Sequence, residues 1–140
     1  MTKEQRESFL AATHVGVLSV NEPGRGPLTI PIWYGYERGG AVRIVTGGNS
    51  KKASLLRAAG RASLLVQSEA PPYQYVAVEG PLSFATPDFQ RDHHDLACRY
   101  LGEQMGEMYL QMTAAEREGS ILVILKPERW LSVDYSKMSV

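Results

Sequence analysis

The segment Thr46-Gly-Gly-Asn-Ser-Lys-Lys52 combines residue types that bind phosphate groups. Its glycines allow backbone N–H groups to approach a ligand closely, and further hydrogen bonds are available from three side chains: Thr46, Asn49 and Ser50. Lys51 and Lys52 add positive charge at the start of a predicted helix, where the helix dipole already favours an anion. The pattern therefore predicts an anion site. A glycine turn followed by two solvated lysines is the alternative that the local pattern leaves open.

This loop is not a P-loop, because it lacks a glycine followed by four residues and then Gly-Lys-Ser/Thr. Nucleoside triphosphate hydrolysis is therefore not supported. The loop nevertheless lies in a basic part of the chain, since positions 38–67 contain no acidic residue. The basic residues there are Arg38, Arg43, Lys51, Lys52, Arg57 and Arg61.

Two large aromatic residues, Trp33 and Tyr34, follow Pro31 and Ile32 in a segment of β-strand character. One face of such a strand can lie along a planar ring while the other packs in a core. Packing of both aromatics inside the protein is the simpler interpretation of the pattern alone. The same two alternatives apply to Trp130, near the C-terminal end of the sequence.

No pattern in the chain is typical of a hydrolase or of a metal centre. His93 and His94 are adjacent, and neighbouring residues of a helix point about 100° apart, so both imidazoles cannot bind one ion. We therefore expect them on a solvated polar face. Cys98 lies among apolar residues, where we expect burial rather than reactivity. We assign no catalytic residue and predict no metal.

The composition fits one globular domain. The 140 residues are 44% hydrophobic, and 15 basic residues balance 15 acidic ones. A net charge of zero argues against nucleic acid or an anionic membrane as a partner. The single cysteine, and the lack of an apolar run long enough for a signal peptide or a membrane span, lead us to expect a cytoplasmic protein.

Hydrophobic patterning predicts a mainly β chain with short helices. Thr2 and Gln5 have the spacing of a capping box, which begins a helix that ends near His14. A second helix over 51–59 ends at Gly60. Strands are predicted at 15–20, 28–36, 41–46, 61–67, 73–85, 120–126 and 129–133. The strand 73–85 is predicted to bend at Gly80-Pro81.

A longer helical stretch is predicted over 87–113, with breaks at Gly102 and Gly106. Its apolar face is predicted to consist of Phe89, Leu96, Tyr100, Leu101, Met105, Met108 and Tyr109. Antiparallel strands joined by hairpins, with these helices inserted, favour an α+β, mainly β fold built on a closed or nearly closed barrel. An open twisted sheet with a helical layer is the alternative.

The chain resembles the pyridoxamine 5'-phosphate oxidase-like, FMN-binding split-barrel superfamily, and most of all its members that use the deazaflavin coenzyme F420. The resemblance rests on the order of several short motifs along nearly the whole chain. They are Val15-Gly-Val-Leu-Ser-Val20, Pro31-Ile-Trp-Tyr34, Thr46-Gly-Gly-Asn-Ser-Lys-Lys52, Arg61-Ala-Ser-Leu64, Tyr75-Val-Ala-Val-Glu-Gly80, Arg99-Tyr-Leu-Gly102, Pro127-Glu-Arg-Trp130 and Asp134-Tyr-Ser-Lys137.

This resemblance implies a single FMN-binding split-barrel domain over residues 1–140, with a six-stranded antiparallel barrel and short flanking helices. It also implies a homodimer with cofactor sites at the subunit interface. The cofactor-binding residues expected from the loop, the aromatic strand and the C-terminal strand are Pro31, Ile32, Trp33, Thr46, Asn49, Ser50, Lys51, Lys52, Arg57 and Trp130.

The function implied is that of an oxidoreductase that transfers a hydride between reduced F420, favoured over FMN, and a small conjugated organic substrate. F420 carries an acidic oligoglutamate tail, for which Lys51, Arg57 and Arg61 offer positive charge. The candidates for contact with the substrate are Tyr34, Tyr36, Tyr73, Tyr75 and the region 87–113. The alternative is a non-catalytic protein that binds or carries a flavin, F420 or haem.

Overall fold

The computed structural model describes residues 1–137. Its strands are β1 (Gly16–Val20), β2 (Leu28–Ile32), β3 (Val42–Gly47), β4 (Arg61–Gln67), β5 (Gln74–Ala85), β6 (Ser120–Leu125) and β7 (Arg129–Asp134). Its α-helices are α1 (Lys3–Ala11), α2 (Lys51–Ala59), α3 (Leu96–Leu101) and α4 (Glu103–Met112). A π-helical segment covers Phe89–Asp95, and short 3-10 turns cover Ala114–Arg117 and Tyr135–Lys137.

Alternating burial along the strands gives the sheet one inner face. In β1 the residues Gly16, Leu18 and Val20 are buried, while Val17 and Ser19 are partly exposed. β3 and β4 show the same period of two, because successive side chains of a strand point to opposite faces. The inward side chains of all these strands form one hydrophobic core.

All strand pairs are antiparallel, and the sheet follows the order β2-β1-β4-β5-β6-β3. The six strands of this path match the predicted barrel, and β7 is a seventh strand that pairs with β5. The two ends of the path approach each other, since an isolated bridge joins Gly35, just after β2, to Arg43 in β3. The sheet is therefore curled into a split barrel rather than spread as an open sheet.

β5 belongs to both halves of the barrel. Its residues 75–81 pair with β4 and residues 74–79 with β7, whereas residues 82–85 pair with β6. Gly80 lies at this change of partner, and a Cβ atom added there would lie 1.7 Å from the carbonyl oxygen of Lys126. Only glycine fits at this crossing. The bend predicted at Gly80-Pro81 corresponds to this change of partner.

The first helix begins as predicted but is shorter. Thr2 and Gln5 form the reciprocal hydrogen bonds of a capping box. The helix ends at Ala11 instead of near His14, and the guanidinium group of Arg99 donates hydrogen bonds to the carbonyl oxygens of Ala11 and Ala12. A side chain from α3 thus satisfies carbonyls that a longer helix would have used.

The second strand is also shorter than predicted, because it ends at Ile32 and not at Tyr36. Tyr34 is fully buried. Its backbone N–H donates to the hydroxyl of Tyr100, 3.1 Å away, and not to a carbonyl oxygen of a neighbouring strand. The Tyr34 hydroxyl donates to the carbonyl oxygen of Leu10 at 2.6 Å, which ties α1 to the barrel. Pro31 lies on β2, a strand at one end of the sheet path, which is where strands tolerate proline.

The helical stretch between β5 and β6 consists of four consecutive pieces: the π-helical segment, α3, α4 and the 3-10 turn Ala114–Arg117. Gly102, with a φ of 81°, separates α3 from α4 as predicted. Gly106 does not break α4; it is buried, and a Cβ there would lie 2.7 Å from the sulfur of Cys98. The glycine therefore allows α4 to approach α3 closely.

The predicted apolar face of this stretch is wrong in large part. Phe89, Met105, Met108 and Tyr109 are exposed. The buried positions of the stretch are instead Asp92, Ala97, Gly106 and Leu110. Among residues 1–137, no helix has the length and apolar character needed to cross a membrane.

We expect Gly80→Ala to destabilise the protein by about 3 kcal/mol or more, because the backbone of β5 or of Lys126 would have to move. Chemical denaturation measures this loss. Gly26→Ala is the matched control, since a Cβ at Gly26 meets no atom within 4 Å. Equal stability of the two variants would contradict the close approach of the chain at Gly80.

Candidate functional site

A cavity of about 310 Å³ lies between the strand end of the barrel and the helical stretch. One wall comes from β2 and β3 with the start of α2 and β6: Pro31, Ile32, Trp33, Val45, Thr46, Gly47, Lys52 and Ser120. The other wall comes from the helices: His93, Leu96, Ala97, Tyr109, Leu110, Thr113, Glu116 and Arg117. The volume is at the lower end of the range for small-molecule sites.

The structure brings half of the predicted cofactor-binding residues to this cavity. They are Pro31, Ile32, Trp33, Thr46 and Lys52. They come from three elements that are distant in sequence, and the pairing of β3 with β6 places Thr46 and Gly47 beside Ile121 and Ser120. The aromatic strand and the basic loop therefore meet at one site.

The other predicted residues lie outside the cavity lining. Asn49 is exposed, and Ser50 is the N-cap of α2, where its hydroxyl oxygen accepts from the N–H of Ala53. Lys51 forms an ion pair with Glu22 at 2.8 Å, on the turn between β1 and β2. Ser50 and Lys51 thus have structural partners of their own.

Arg57 and Trp130 also have contacts elsewhere. The guanidinium group of Arg57 donates to the carbonyl oxygen of Gly48 at 2.8 Å, so this residue braces the loop from α2. Trp130 packs against the core, with the guanidinium carbon of Arg6 4.7 Å from its ring centroid and Tyr36 at its edge. Neither side chain lines the cavity of this single chain.

A close backbone contact shapes the loop. The N–H of Gly48 donates to the carbonyl oxygen of Gly119 at 2.9 Å, and a Cβ at Gly48 would lie 2.6 Å from that oxygen. The loop therefore packs directly on the turn before β6. Together with the N-cap at Ser50, this contact places Lys52 in the first turn of α2, facing the cavity.

Lys52 is the charged group that the β wall contributes to the cavity. Its side chain is partly buried, and burial lowers the pKa of its ammonium group. Among residues 1–137, no carboxylate lies within ion-pairing distance of it. A partly buried cation without a partner favours binding of an anion, which would compensate for the hydration that the ammonium group has lost.

Trp33 gives the cavity a fixed aromatic surface. Its ring stacks on that of Tyr100, with centroids 4.9 Å apart and planes inclined by 5°, and Tyr109 lies 5.4 Å away at a tilt. The Tyr100 hydroxyl donates to the carbonyl oxygen of His14 at 2.6 Å. Because both aromatic partners belong to the helical stretch, the helices hold the indole in place.

A buried ion pair joins the helical stretch to the barrel. Arg43 of β3 forms two hydrogen bonds of 2.8 Å with the carboxylate of Asp92, whose side chain is 2% exposed. Burial acts to raise the pKa of Asp92, but the hydrogen bonds from Arg43 and from the N–H of Asp88 outweigh it and lower this pKa. The pair fixes the π-helical segment that carries His93 into the cavity wall.

The helical wall also carries charge. The guanidinium carbon of Arg117 lies 5.4 Å from the ring centroid of Phe89, and Arg117 donates a hydrogen bond to the carbonyl oxygen of Leu110. His93 packs on the same phenyl ring at 6.0 Å. Burial, assisted by the charge of Arg117, lowers the pKa of His93, so its imidazole is neutral at pH 7.

Comparison with known proteins identifies the family of this chain. The family model described as pyridoxamine 5'-phosphate oxidase matches residues 1–134. The chain belongs to this family. A search among curated proteins found no match.

Solved structures share the split barrel of the pyridoxamine 5'-phosphate oxidase family. The conserved hypothetical protein Rv2991 from Mycobacterium tuberculosis has a TM-score of 0.79 and 24% identity, over 100% of this chain and 92% of its own. An F420 reductase has a TM-score of 0.65 and 17% identity, over 89% and 94%. The FAD and haem binding protein from Mycobacterium smegmatis has a TM-score of 0.66 and 18% identity, over 95% and 70%. These likenesses establish the fold expected from the sequence.

Several expectations about the site in this member of the pyridoxamine 5'-phosphate oxidase family need correction. Tyr34 and Tyr36 are buried in the core and cannot touch a ligand in the cavity. Tyr73 lies just before β5 and Tyr75 lies near the start of this strand, both outside the cavity lining. His93 lines the cavity wall instead of a solvated face. The region 87–113 does contribute to the wall, as expected.

Three polar residues of the cavity were missed: Glu116, Arg117 and Ser120. Glu116 and Arg117 lie in the 3-10 turn before β6, where charged residues are usually solvated, and Ser120 is the first residue of β6, so no local signal distinguishes them. Cys98 is partly exposed rather than buried. His94 contacts Asp95 and Cys98, but among residues 1–137 no group of three such side chains has the arrangement of a metal site.

We expect Asp92→Asn to destabilise the protein by about 2–3 kcal/mol at pH 7, because Arg43 would lose its buried counter-ion. The folded-state pKa of Asp92 is lowered, so the pair stabilises the fold above the unfolded-state pKa of about 4 and loses this effect as the pH falls below it. The stability difference between wild type and variant should therefore shrink in acid.

Urea denaturation at several pH values measures this difference. Glu79→Gln provides the control, because the ion pair of Glu79 with Arg61 is exposed and should contribute less than about 1 kcal/mol. A constant stability difference between wild type and Asp92→Asn from pH 7 to pH 3 would contradict the role given to the buried pair.

Proposed function

We propose that this protein is an oxidoreductase that binds F420, in preference to FMN, and transfers a hydride between the reduced cofactor and a small conjugated substrate. The observation that carries this proposal is the meeting of Lys52 and Trp33 in one cavity. An unpaired, partly buried ammonium group suits a phosphate, and a fixed indole suits the neighbourhood of a planar ring system.

The residues present fit a cofactor with a phosphate and a planar ring. Lys52 would bind the phosphate, with the side chain of Thr46 and the backbone at Gly47 on the same wall. Pro31, Ile32 and Trp33 would lie along the ring system. The helical wall would limit access of water to the reacting face. A bound flavin or deazaflavin would supply the hydride chemistry, which explains why the chain needs no obvious acid–base pair.

The preference for F420 rests on the resemblance of the motifs and on the fold shared with an F420 reductase. Positive charge near the loop supports it. Arg57 is held beside Gly48, and Arg61 lies at the start of β4, although its guanidinium group already pairs with Glu79 and Glu128. An acidic tail extending from the loop would therefore find Arg57 before Arg61.

A homodimer in the cytoplasm belongs to the same proposal. Exposed apolar residues on α4 share one helical face and support it: Met105, Met108, Tyr109 and Met112. Tyr109 also lines the cavity, so a second subunit on this face would lie beside the site. Sedimentation should give twice the chain mass of 15.5 kDa, and a monomer at working concentrations would refute the dimer.

A non-catalytic carrier of a flavin, F420 or haem is the second candidate. It is favoured by the neutral imidazole of His93 in the cavity wall, a group that can bind haem iron, and by the likeness to the FAD and haem binding protein. The rate of reoxidation of the reduced cofactor separates the two candidates. An enzyme accelerates reoxidation with a particular acceptor above the rate in buffer, whereas a carrier does not.

We expect Lys52→Met to weaken cofactor binding about 10- to 100-fold, because a charge-assisted contact to phosphate would be lost. Fluorescence titration with F420 and, separately, with FMN measures the dissociation constants. Higher salt should weaken binding to wild type more than to the variant.

Lys3→Met is the matched control, since Lys3 is an exposed lysine of α1 outside the cavity lining. Lys51→Met should have a smaller effect than Lys52→Met, because Glu22 already holds the Lys51 ammonium group. Equal affinity of wild type and Lys52→Met for both cofactors would remove Lys52 from the site and, with it, the proposal.

A further inference from the structure

Positive charge lines the cavity on both walls. Lys52 stands on the β wall and Arg117 on the helical wall, in the turn before β6. Among the residues that the structure describes, neither cation has a carboxylate within ion-pairing distance. One phosphate at Lys52 would leave Arg117 uncompensated.

Arg117 is held in position by neutral groups. It donates a hydrogen bond to the carbonyl oxygen of Leu110, and its guanidinium group lies over the ring of Phe89. Neither contact neutralises the charge, and a guanidinium group has five N–H donors, so further donors remain for a ligand. Such a fixed and uncompensated group is typical of carboxylate recognition.

Other polar groups surround the same place. The imidazole of His93 packs on the Phe89 ring and lines the cavity, together with the hydroxyl-bearing residues Thr113 and Ser120. Glu116 also lines the cavity, but its carboxylate lies beyond ion-pairing distance of the cations. Its negative charge therefore weakens the attraction of the cavity for an anion, but Glu116 does not form an ion pair with either cation and so does not take the place of an anionic ligand.

We propose that Arg117, assisted by His93, binds a carboxylate on the substrate, so that the protein acts on conjugated organic acids rather than on their neutral counterparts. This proposal rests on the proposed function, because it takes the cofactor phosphate to be at Lys52. The substrate would then have its planar part near Trp33 and its acidic group against the helical wall.

Cinnamate and its neutral counterpart cinnamamide are suitable probes, because both are small, planar and conjugated. Isothermal calorimetry with the purified protein, both alone and saturated with F420 or FMN so that Lys52 is occupied, should show tighter binding of cinnamate. Arg117→Gln should weaken cinnamate binding about tenfold and leave cinnamamide binding unchanged. Glu116→Gln should have the opposite effect and tighten cinnamate binding about twofold.

Two further variants keep the test valid if Arg117→Gln disturbs the turn. Arg117→Lys retains the charge and should recover part of the affinity, whereas the exposed Arg38→Gln should bind cinnamate like wild type. Equal binding of cinnamate to wild type and Arg117→Gln would overturn the proposal, as would equal binding of both probes to wild type.

The acidic tail of F420 is a second source of the same carboxylate chemistry. If Arg117→Gln weakened binding of F420 but not of FMN, the carboxylate at Arg117 would belong to the cofactor, and the proposal for the substrate would be overturned. We expect both cofactors to bind the variant as they bind wild type. A protein that bound cinnamate through Arg117 but neither cofactor would refute the proposed function and leave the carboxylate site standing.

Discussion

The shared use of β5 by both halves of the barrel is the constraint on which the rest of the structure depends. At Gly80 the strand changes partners, and the carbonyl oxygen of Lys126 occupies the space that any side chain would need. β6 is thereby placed beside β3, and β7 beside the first half of β5. All pieces of the helical wall lie between β5 and β6 in the chain, so both ends of that wall are anchored at this strand pair.

Charged groups in this protein have two different surroundings. Arg43 and Asp92 compensate each other fully, and their pairing holds the helical stretch against the barrel. Lys52 and Arg117 line the cavity without such partners. Partial burial of a cation is costly unless an anion accompanies it. The charges are therefore paired where the helical stretch joins the barrel and unpaired in the cavity, where Lys52 and Arg117 are both partly buried. This contrast is the physical basis for placing an anionic ligand there.

Much of the fold could be predicted because its signals are local. The capping box at Thr2, the αL glycine at Gly60 and the period of two in β1 and β3 depend on neighbouring residues only. The errors arose where a distant group replaced a local one. Arg99 binds the carbonyl at the end of α1, which is shorter than predicted. The hydroxyl of Tyr100 accepts the hydrogen bond from the backbone N–H of Tyr34 that a neighbouring strand was expected to accept. Such contacts connect positions that no short window of sequence contains.

By itself, the sequence determined the family, the order of strands and helices, and the position of a basic, glycine-containing loop at the start of α2. These follow from local patterns and from the resemblance of ordered motifs. Only the tertiary structure decided which polar side chains face the cavity. Ser50 became a helix cap and Lys51 an ion-pair partner, while Lys52 and the unsuspected Arg117 came to line one space. The reason is geometric, because direction and burial depend on the packing of the whole chain.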